Sequence, residues 1–289
     1  MKSRLSSKKS SQGVSCKYVD TAPLRAMSKV YPSNLTLEQF ELISELIPPP
    51  RPGGRKREVD IVDILNAIFY VLCEGCRWRA LPGDFPNWQT VYTYFRNWRK
   101  DGTWVRMHDQ LREWMRVSSD REPSPSEAII DSQSVKSAAL VSQAVGYDAG
   151  KKIKGRKRFL TVDTLGLVLR VLITAANVGE REGGKQVLKK VKQMGTAVSR
   201  VHTIWVDAGF DGNPFMQWVM DFCCWIVQVV LRPKECKKFV LLPKRWVVER
   251  TFGWLTWCRR LNKDYELLPE TAETFIYIAM IRIMVRRLA

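Results

Sequence analysis

Beyond residue 127 the chain alternates between short apolar runs of strand length and longer segments with helical spacing. This order constrains the fold more than any other feature, because strands that alternate with helices form a sheet covered on both faces. Thr164-Leu165-Gly166 separates two of the apolar runs and is typical of a hairpin turn. We therefore expect an α/β fold over 128–289, with a mixed sheet flanked by helices. The predicted strands are 128–131, 158–163, 167–174, 201–206 and 225–231, and the predicted helices are 184–193 and the segments beginning near Asn213, Lys244 and Thr271.

Residues 31–119 have helical spacing throughout and predict an all-α domain, joined to the α/β domain by a linker at 120–127 that contains two prolines. Thr36 and Gln39 match a capping box, and Asn87 is a good cap for a third helix. The second and third helices resemble a helix-turn-helix with a long joint. The polar side of the third helix carries residue types that reach base edges and phosphates, although a solvated bundle face has a similar composition; its basic residues are Arg96, Arg99 and Lys100.

Charge narrows the class of partner. The chain has 47 Lys and Arg against 29 Asp and Glu, a net charge of +18. Such an excess repels itself and favours a polyanionic partner, with nucleic acid the simplest and a ribosome or membrane surface the alternatives. Residues 1–30 predict a mobile basic tail. No apolar run reaches the ~18 residues that span a bilayer, so we expect a cytoplasmic protein without membrane contact.

The densest basic segment places six positive charges in eight residues, immediately before and within a predicted core strand. A run of this density predicts a track for DNA phosphates. Its members are Lys151, Lys152, Lys154, Arg156, Lys157 and Arg158.

Cysteine spacing offers a second type of chemistry. Cys73 and Cys76 form a C-x-x-C pair, which occurs in zinc and redox sites. The chain has only two histidines, His108 and His202, and no second cysteine pair of suitable spacing. We therefore expect reduced thiols that pack as small apolar groups.

Three acidic residues stand where apolar patterns end. Asp131 and Asp207 each follow a predicted strand, and ligands of α/β sheets collect at such strand ends. Glu249 lies four residues after Arg245 on a predicted helix, so the two side chains can touch. Taken singly, each acid also suits a loop cap or a surface ion pair. Together they predict a site for a divalent cation, since converging carboxylates repel one another without one.

Four segments resemble the signatures of insertion-sequence transposases. They are IIDSQSVKS (129–137), GRKRFLTVDTLGL (155–167), WVDAGFDG (205–212) and LPKRWVVERTFGWL (242–255). The chain is similar to the insertion-sequence-five group within the DDE class, whose core is ribonuclease H-like. The resemblance implies a transposase that binds the ends of an insertion sequence and cuts and joins DNA with two Mg²⁺ or Mn²⁺ ions.

The resemblance also implies roles for particular residues. Asp131, Asp207 and Glu249 would be the metal ligands, and Arg245 would orient them or bind phosphate. Double-stranded DNA, as terminal inverted repeats and target, would be the partner, bound by a homodimer at the nucleoid. An inactive end-binding repressor and a nuclease of the same fold are the alternatives. Besides the basic run and the third helix, the expected DNA contacts are Arg250, Arg259 and Arg260.

Overall fold

A computed structural model describes residues 30–50, 57–231 and 244–289. The expected basic tail at 1–30 lies, apart from Val30, outside these residues. The helices are α1 (Leu37–Ser44), α2 (Ile61–Glu74), α3 (Trp88–Lys100), α4 (Thr103–Val117), α5 (Glu180–Lys192), α6 (Asn213–Cys223), α7 (Arg245–Thr256) and α8 (Pro269–Leu288). The strands are β1 (Glu127–Lys136), β2 (Gly146–Asp148), β3 (Ile153–Asp163), β4 (Val168–Ala175), β5 (Thr203–Asp207) and β6 (Ile226–Val230).

The strands form one mixed sheet in the order β4–β3–β1–β5–β6, with β2 paired to the start of β3. β3 runs antiparallel to β1 and β4, whereas β1, β5 and β6 are mutually parallel. Helices α5 and α6 cover one face with an apolar layer, and α7 and α8 cover the other. The expected fold class, a ribonuclease H-like mixed sheet flanked by helices and preceded by a helical region, is confirmed.

The length of β1 was predicted wrongly. Its expected end was Asp131, but the strand continues to Lys136 and pairs with β3 along its whole length. The pattern misled because the extension is polar: Ser132 and Ser134 are nevertheless buried. What does end early is the pairing of β1 with β5, which reaches only Ile129. Asp131 therefore follows the end of that pairing, within the strand.

The helix ends follow local capping chemistry. Thr36 and Gln39 form the expected capping box at α1, and Asn87 caps α3 through the N–H of Gln89. Gly75 ends α2 with a φ of 71°, a left-handed conformation that costs glycine little. Helix α6 begins at Asn213, as expected, and its capping position is Gly212.

Helix α8 is buried along most of its length because it packs against the sheet and also against the N-terminal helices. One apolar core thus crosses the predicted boundary between 31–119 and 128–289, and that division remains a prediction. Ion pairs reinforce the join: Arg170 on β4 donates twice to Asp109 on α4, both at 2.8 Å. Arg116 lies 2.6 Å from Asp163 in a fully buried pair.

In the part of the chain that the structure describes, every helix is too short or too polar to cross a lipid bilayer.

Candidate active site

Asp131 and Asp207 are brought to one place by the register of the parallel strands β1 and β5. Ile129 lies opposite Trp205, and each aspartate is two residues further along its strand. Side chains two residues apart share a face of a sheet, so both aspartates project to the face covered by α7. Their position at the carboxyl end of paired parallel strands is the usual place for a ligand in such a sheet.

Backbone N–H groups orient both carboxylates. The N–H of Ser132 donates to Asp131 Oδ1 at 2.7 Å, and that of Gly209 donates to Asp207 Oδ1 at 3.0 Å. Burial raises the pKa of Asp131 to about 7, and the negative charge of Asp207 adds to this rise against the Ser132 hydrogen bond and the charges of Arg245 and Lys151. The Asp207 carboxylate therefore lies close enough to Asp131 to oppose the ionisation of Asp131.

Helix α7 places the third acid on the same face of the sheet. Val247, Val248 and Phe252 pack inward, which anchors the helix beneath the site. Arg245 Nε lies 3.1 Å from Glu249 Oε1, which confirms the predicted contact across one helical turn, and its Nη2 lies 3.7 Å from Asp207 Oδ2. The guanidinium thus stands between the two predicted ligands.

The three acids are not assembled as one cluster. Among the residues described, no group of three Asp, Glu, His or Cys side chains is close enough to hold a single metal ion. Glu249 is the outlying member, with 54% of its side chain exposed and its carboxylate beside Arg245. The structure therefore brings Asp131 and Asp207 together and leaves Glu249 at the edge of the site.

The donor chemistry of the paired aspartates fits a hard divalent cation. Each carboxylate has one oxygen fixed by the backbone, and Mg²⁺ commonly takes one or two carboxylates together with waters and substrate phosphates. A cation at this point would also offset the repulsion that raises the pKa of Asp131. The fit rests on two ligands, Asp131 and Asp207, because the Glu249 carboxylate is paired with Arg245.

Half of the predicted phosphate track lies on the surface. Lys151, Lys152 and Lys154 are exposed around the turn between β2 and β3. Lys151 is nearest to the site: its Nζ lies 3.4 Å from the carbonyl oxygen of Ser132, the residue after Asp131. These three lysines remain predicted DNA contacts.

The other half of the predicted phosphate track is buried, so these residues were wrongly predicted to contact DNA. Arg156, Lys157 and Arg158 are buried in β3, and Arg260 is buried too. Arg156 donates to the carbonyls of Gln143, Glu266 and Leu267, and it pairs with Asp264 at 3.2 Å. Because these four cations are buried, they are not available on the surface as phosphate contacts. The partners of the other three are Val178 and Glu180 for Lys157, Gln133 for Arg158, and Glu266 and Cys76 for Arg260.

The remaining predicted contacts are at the surface. Arg96 and Lys100 are exposed on the side of α3 away from its buried Val91, Phe95 and Trp98, whereas Arg99 borders this buried stripe and is partly exposed. Arg259 is exposed and lies 3.6 Å from Glu74. Arg250 lies beside Trp246, an aromatic residue absent from the predicted site although its spacing of four residues gives the signal. Trp257, which follows α7, is 86% exposed.

Comparisons with known proteins agree with this geometry. Residues 35–108 match a family model described as "Putative transposase of IS4/5 family", and residues 122–284 match one described as "Transposase DDE domain". The chain is also similar to the "Insertion element IS402 uncharacterized 16.2 kDa protein" of Burkholderia cepacia. The two are 33% identical over 122 residues, which cover 40% of this chain and 76% of the relative. The match to the transposase DDE domain includes both strands that carry the aspartates and the helix that carries Glu249.

Proposed function

Because this chain belongs to the DDE transposase family, we propose that it binds the ends of an insertion sequence and catalyses metal-dependent cleavage and strand transfer of DNA. The observation that supports this most is the convergence of Asp131 and Asp207 at the end of parallel strands, where burial and the Asp207 charge raise the pKa of Asp131 to about 7. Without a bound cation, the repulsion between these two carboxylates would not be compensated.

Asp131 and Asp207 would hold the Mg²⁺ or Mn²⁺ ions, and Glu249 would join them. When bound, two such ions supply Lewis-acid activation of the attacking oxygen and stabilise the leaving oxygen of a phosphodiester. The backbone bonds from Ser132 and Gly209 keep the aspartates oriented, so they need little rearrangement to act as ligands.

Arg245 and Lys151 would act on the DNA backbone. The planar guanidinium of Arg245 can bind two phosphate oxygens at once, and it stands between Asp207 and Glu249. If the guanidinium turns to a phosphate, it releases the Glu249 carboxylate for metal. Lys151 adds a second positive charge next to Asp131. DNA binding and assembly of the third ligand would thus be linked.

The wider surfaces fit the same substrate. The exposed basic residues of α3 would bind the inverted repeats, and Lys151, Lys152 and Lys154 would follow the DNA backbone. Two element ends must be held together for joining, so we propose a homodimer in the DNA complex. Such a protein would act at the nucleoid in the cytoplasm.

A second candidate function is an end-binding repressor that does not cut. It is favoured by the Arg245–Glu249 ion pair, which keeps the third acid away from the two aspartates. In this alternative the ion pair would persist when DNA binds.

The two functions are separated by an assay of purified protein with Mg²⁺ or Mn²⁺ and labelled DNA that carries the element's own ends. The transposase should give metal-dependent cuts at the end and joined products. Both products should disappear in Asp207→Ala, with DNA binding retained. Asp211→Ala is the matched control, because Asp211 is an exposed aspartate four residues further along and should be dispensable. Binding without cuts by the native chain would favour the repressor, and unchanged cleavage by Asp207→Ala would refute the site.

A further inference from the structure

Helix α7 carries a second functional pattern beside the acidic site. Trp246, Arg250 and Trp254 are spaced by four residues and therefore share one side of the helix. The guanidinium carbon of Arg250 lies 4.6 Å from the ring centroid of Trp246 and 4.7 Å from that of Trp254. Arg287, near the end of α8, lies 4.3 Å from the Trp254 centroid. We call these four side chains the indole–arginine stack.

The two guanidiniums of the stack lack an acidic partner among the described residues. In the described part of the chain, neither Arg250 nor Arg287 forms an ion pair with a carboxylate. The carboxylate whose charge reaches Arg250 is Asp163, but Asp163 is completely buried and is bound to Arg116 at 2.6 Å. The cations of the stack are therefore not neutralised by the described side chains.

Hydrogen-bonding capacity is also left over. Arg250 Nη2 donates to the carbonyl of Leu165 in the hairpin turn at 2.9 Å, which fixes the guanidinium in place. Its Nε is buried and has no hydrogen-bond partner among the residues described. A buried donor without an acceptor is costly, so a ligand that supplies the acceptor would be favoured.

The stack is not explained by packing alone. Burial lowers the pKa of Arg250, and the nearby charge of Arg287 lowers it further, while burial alone lowers the pKa of Arg287. Two cations beside one indole repel each other, whereas uncharged side chains of similar size would fill the same space without repulsion. An anion bound between them would remove that repulsion.

We propose that the indole–arginine stack binds backbone phosphates of the DNA held at the active site. The indoles contact the guanidiniums and so orient them. A planar guanidinium held in this way can donate two hydrogen bonds to the oxygens of one phosphate. The stack extends from the groove that Trp246 lines with Arg121, Thr164 and Lys244. From Trp246 to Trp254 the helix rises about 12 Å, over which one strand of B-form DNA carries roughly three to four phosphates.

This inference rests on the proposed function in one respect, because the DNA must also reach Asp131 and Asp207. The stack itself lies on the side of α7 next to Glu249 and Arg245, and it would guide the strand into the site without touching the reacting atoms. Arg250 and Arg287 are accordingly binding residues rather than catalytic ones.

The test is the salt dependence of DNA affinity, measured without metal by fluorescence anisotropy on a duplex that carries the element end. Each phosphate contact contributes about 0.9 to the slope of log affinity against log salt concentration. Arg250→Gln and Arg287→Gln should each make this negative slope shallower by about 0.9, and the double variant should make it shallower by about 1.8. Lys189→Gln is the matched control: Lys189 also contacts an indole, with Nζ 5.8 Å from the Trp218 centroid, but it lies on α5 across the sheet.

A purely structural stack gives a different result. In that case the Gln variants lose thermal stability while their slopes equal that of the native chain, and the proposal is overturned. If a Gln variant does not fold, Arg250→Lys keeps the charge but loses the fork. The proposal then expects an unchanged slope with weaker binding at a fixed salt concentration, and an unchanged affinity overturns it.

The phosphate-binding role of the stack and the proposed transposase function can be refuted separately. A native chain that cuts element ends, with variants whose slopes are unchanged, refutes the stack as a phosphate site and leaves the proposed function intact. A native chain that does not bind DNA refutes both.

Discussion

Charged side chains lie in poorly solvated surroundings in two regions: the seam between α4 and the sheet, and the face of the sheet that carries Asp131. The two regions differ in how these charges are paired. At the seam two pairs of opposite charge are in close contact: Arg116 with Asp163 at 2.6 Å, and Arg170 with Asp109 through two bonds of 2.8 Å. At the site the charge of a second aspartate, Asp207, opposes the ionisation of Asp131, and the guanidinium of Arg245 lies 3.7 Å from Asp207 Oδ2.

The difference separates charges that serve folding from charges that serve a ligand. Asp163 is the more fully bonded carboxylate, since its Oδ1 accepts the N–H groups of Leu165 and Leu167 while its Oδ2 accepts from Arg116. Asp131 and Asp207 each have one oxygen bound by the backbone, which leaves acceptor capacity on the other. A buried charge that is fully paired is thus structural, and one that is oriented but unpaired indicates a site.

The largest effect should come from Asp131→Asn. A metal site supplies several kcal/mol of transition-state stabilisation, so cleavage should fall by about a thousandfold or more. The unfolding free energy should stay equal or rise, because the variant removes a carboxylate whose ionisation burial opposes. Single-turnover cleavage and urea unfolding give the two numbers. A variant that cuts normally, or one that unfolds readily, would erase the distinction between the two regions.

Arg116→Met should show the reverse. It leaves the buried Asp163 carboxylate without its cation and should cost about 3–5 kcal/mol of unfolding free energy. Urea unfolding measures this loss. Any drop in cleavage should follow the fraction unfolded and recover at lower temperature. A cost below about 1 kcal/mol would mean that the seam is not held by this pair.

Arg245→Gln sharpens the comparison, because Arg245 is half-exposed and contacts both Asp207 and Glu249. An exposed ion pair contributes little, so stability should change by less than about 1 kcal/mol. Loss of one donor to the reacting phosphate should lower cleavage roughly a hundredfold. The same two assays apply, with Arg200→Gln, another half-exposed arginine, as control. Equal activity in both variants would remove Arg245 from the site.

The smallest effect concerns His108 at the seam. Burial lowers the pKa of His108, against the opposing hydrogen bond and charge of Asp109. A histidine whose pKa is lower in the folded state supports stability above its unfolded pKa of about 6.5 and loses that support as the pH falls. Melting temperature should therefore decline below that pH, and His108→Phe should decline less steeply. Parallel curves would show that His108 does not set the dependence.

Much of the scaffold could be predicted because its signals are local. The capping box of Thr36, the stop at Gly75 and the contact of Arg245 with Glu249 each depend on neighbours within four residues. The strands that carry Asp131 and Asp207 followed from apolar runs. Asp131 and Asp207 lie at the same level of neighbouring strands because the register of the parallel pairing places them there.

What could not be predicted depends on partners far along the chain. Arg156 looked like a surface cation, but Asp264, Glu266 and Leu267 close around it from more than a hundred residues away. Arg260 is buried by a similar distant contact with Cys76.

The central claim is that Asp131 and Asp207 form a metal site, and Mn²⁺ binding tests it most directly. Electron paramagnetic resonance would follow a Mn²⁺ titration of the chain bound to element-end DNA, alongside Asp131→Asn, Asp207→Ala and the control Asp211→Ala. The account predicts bound Mn²⁺ in the native chain and in the control, and its loss in both site variants. Equal binding by all four proteins would contradict the account.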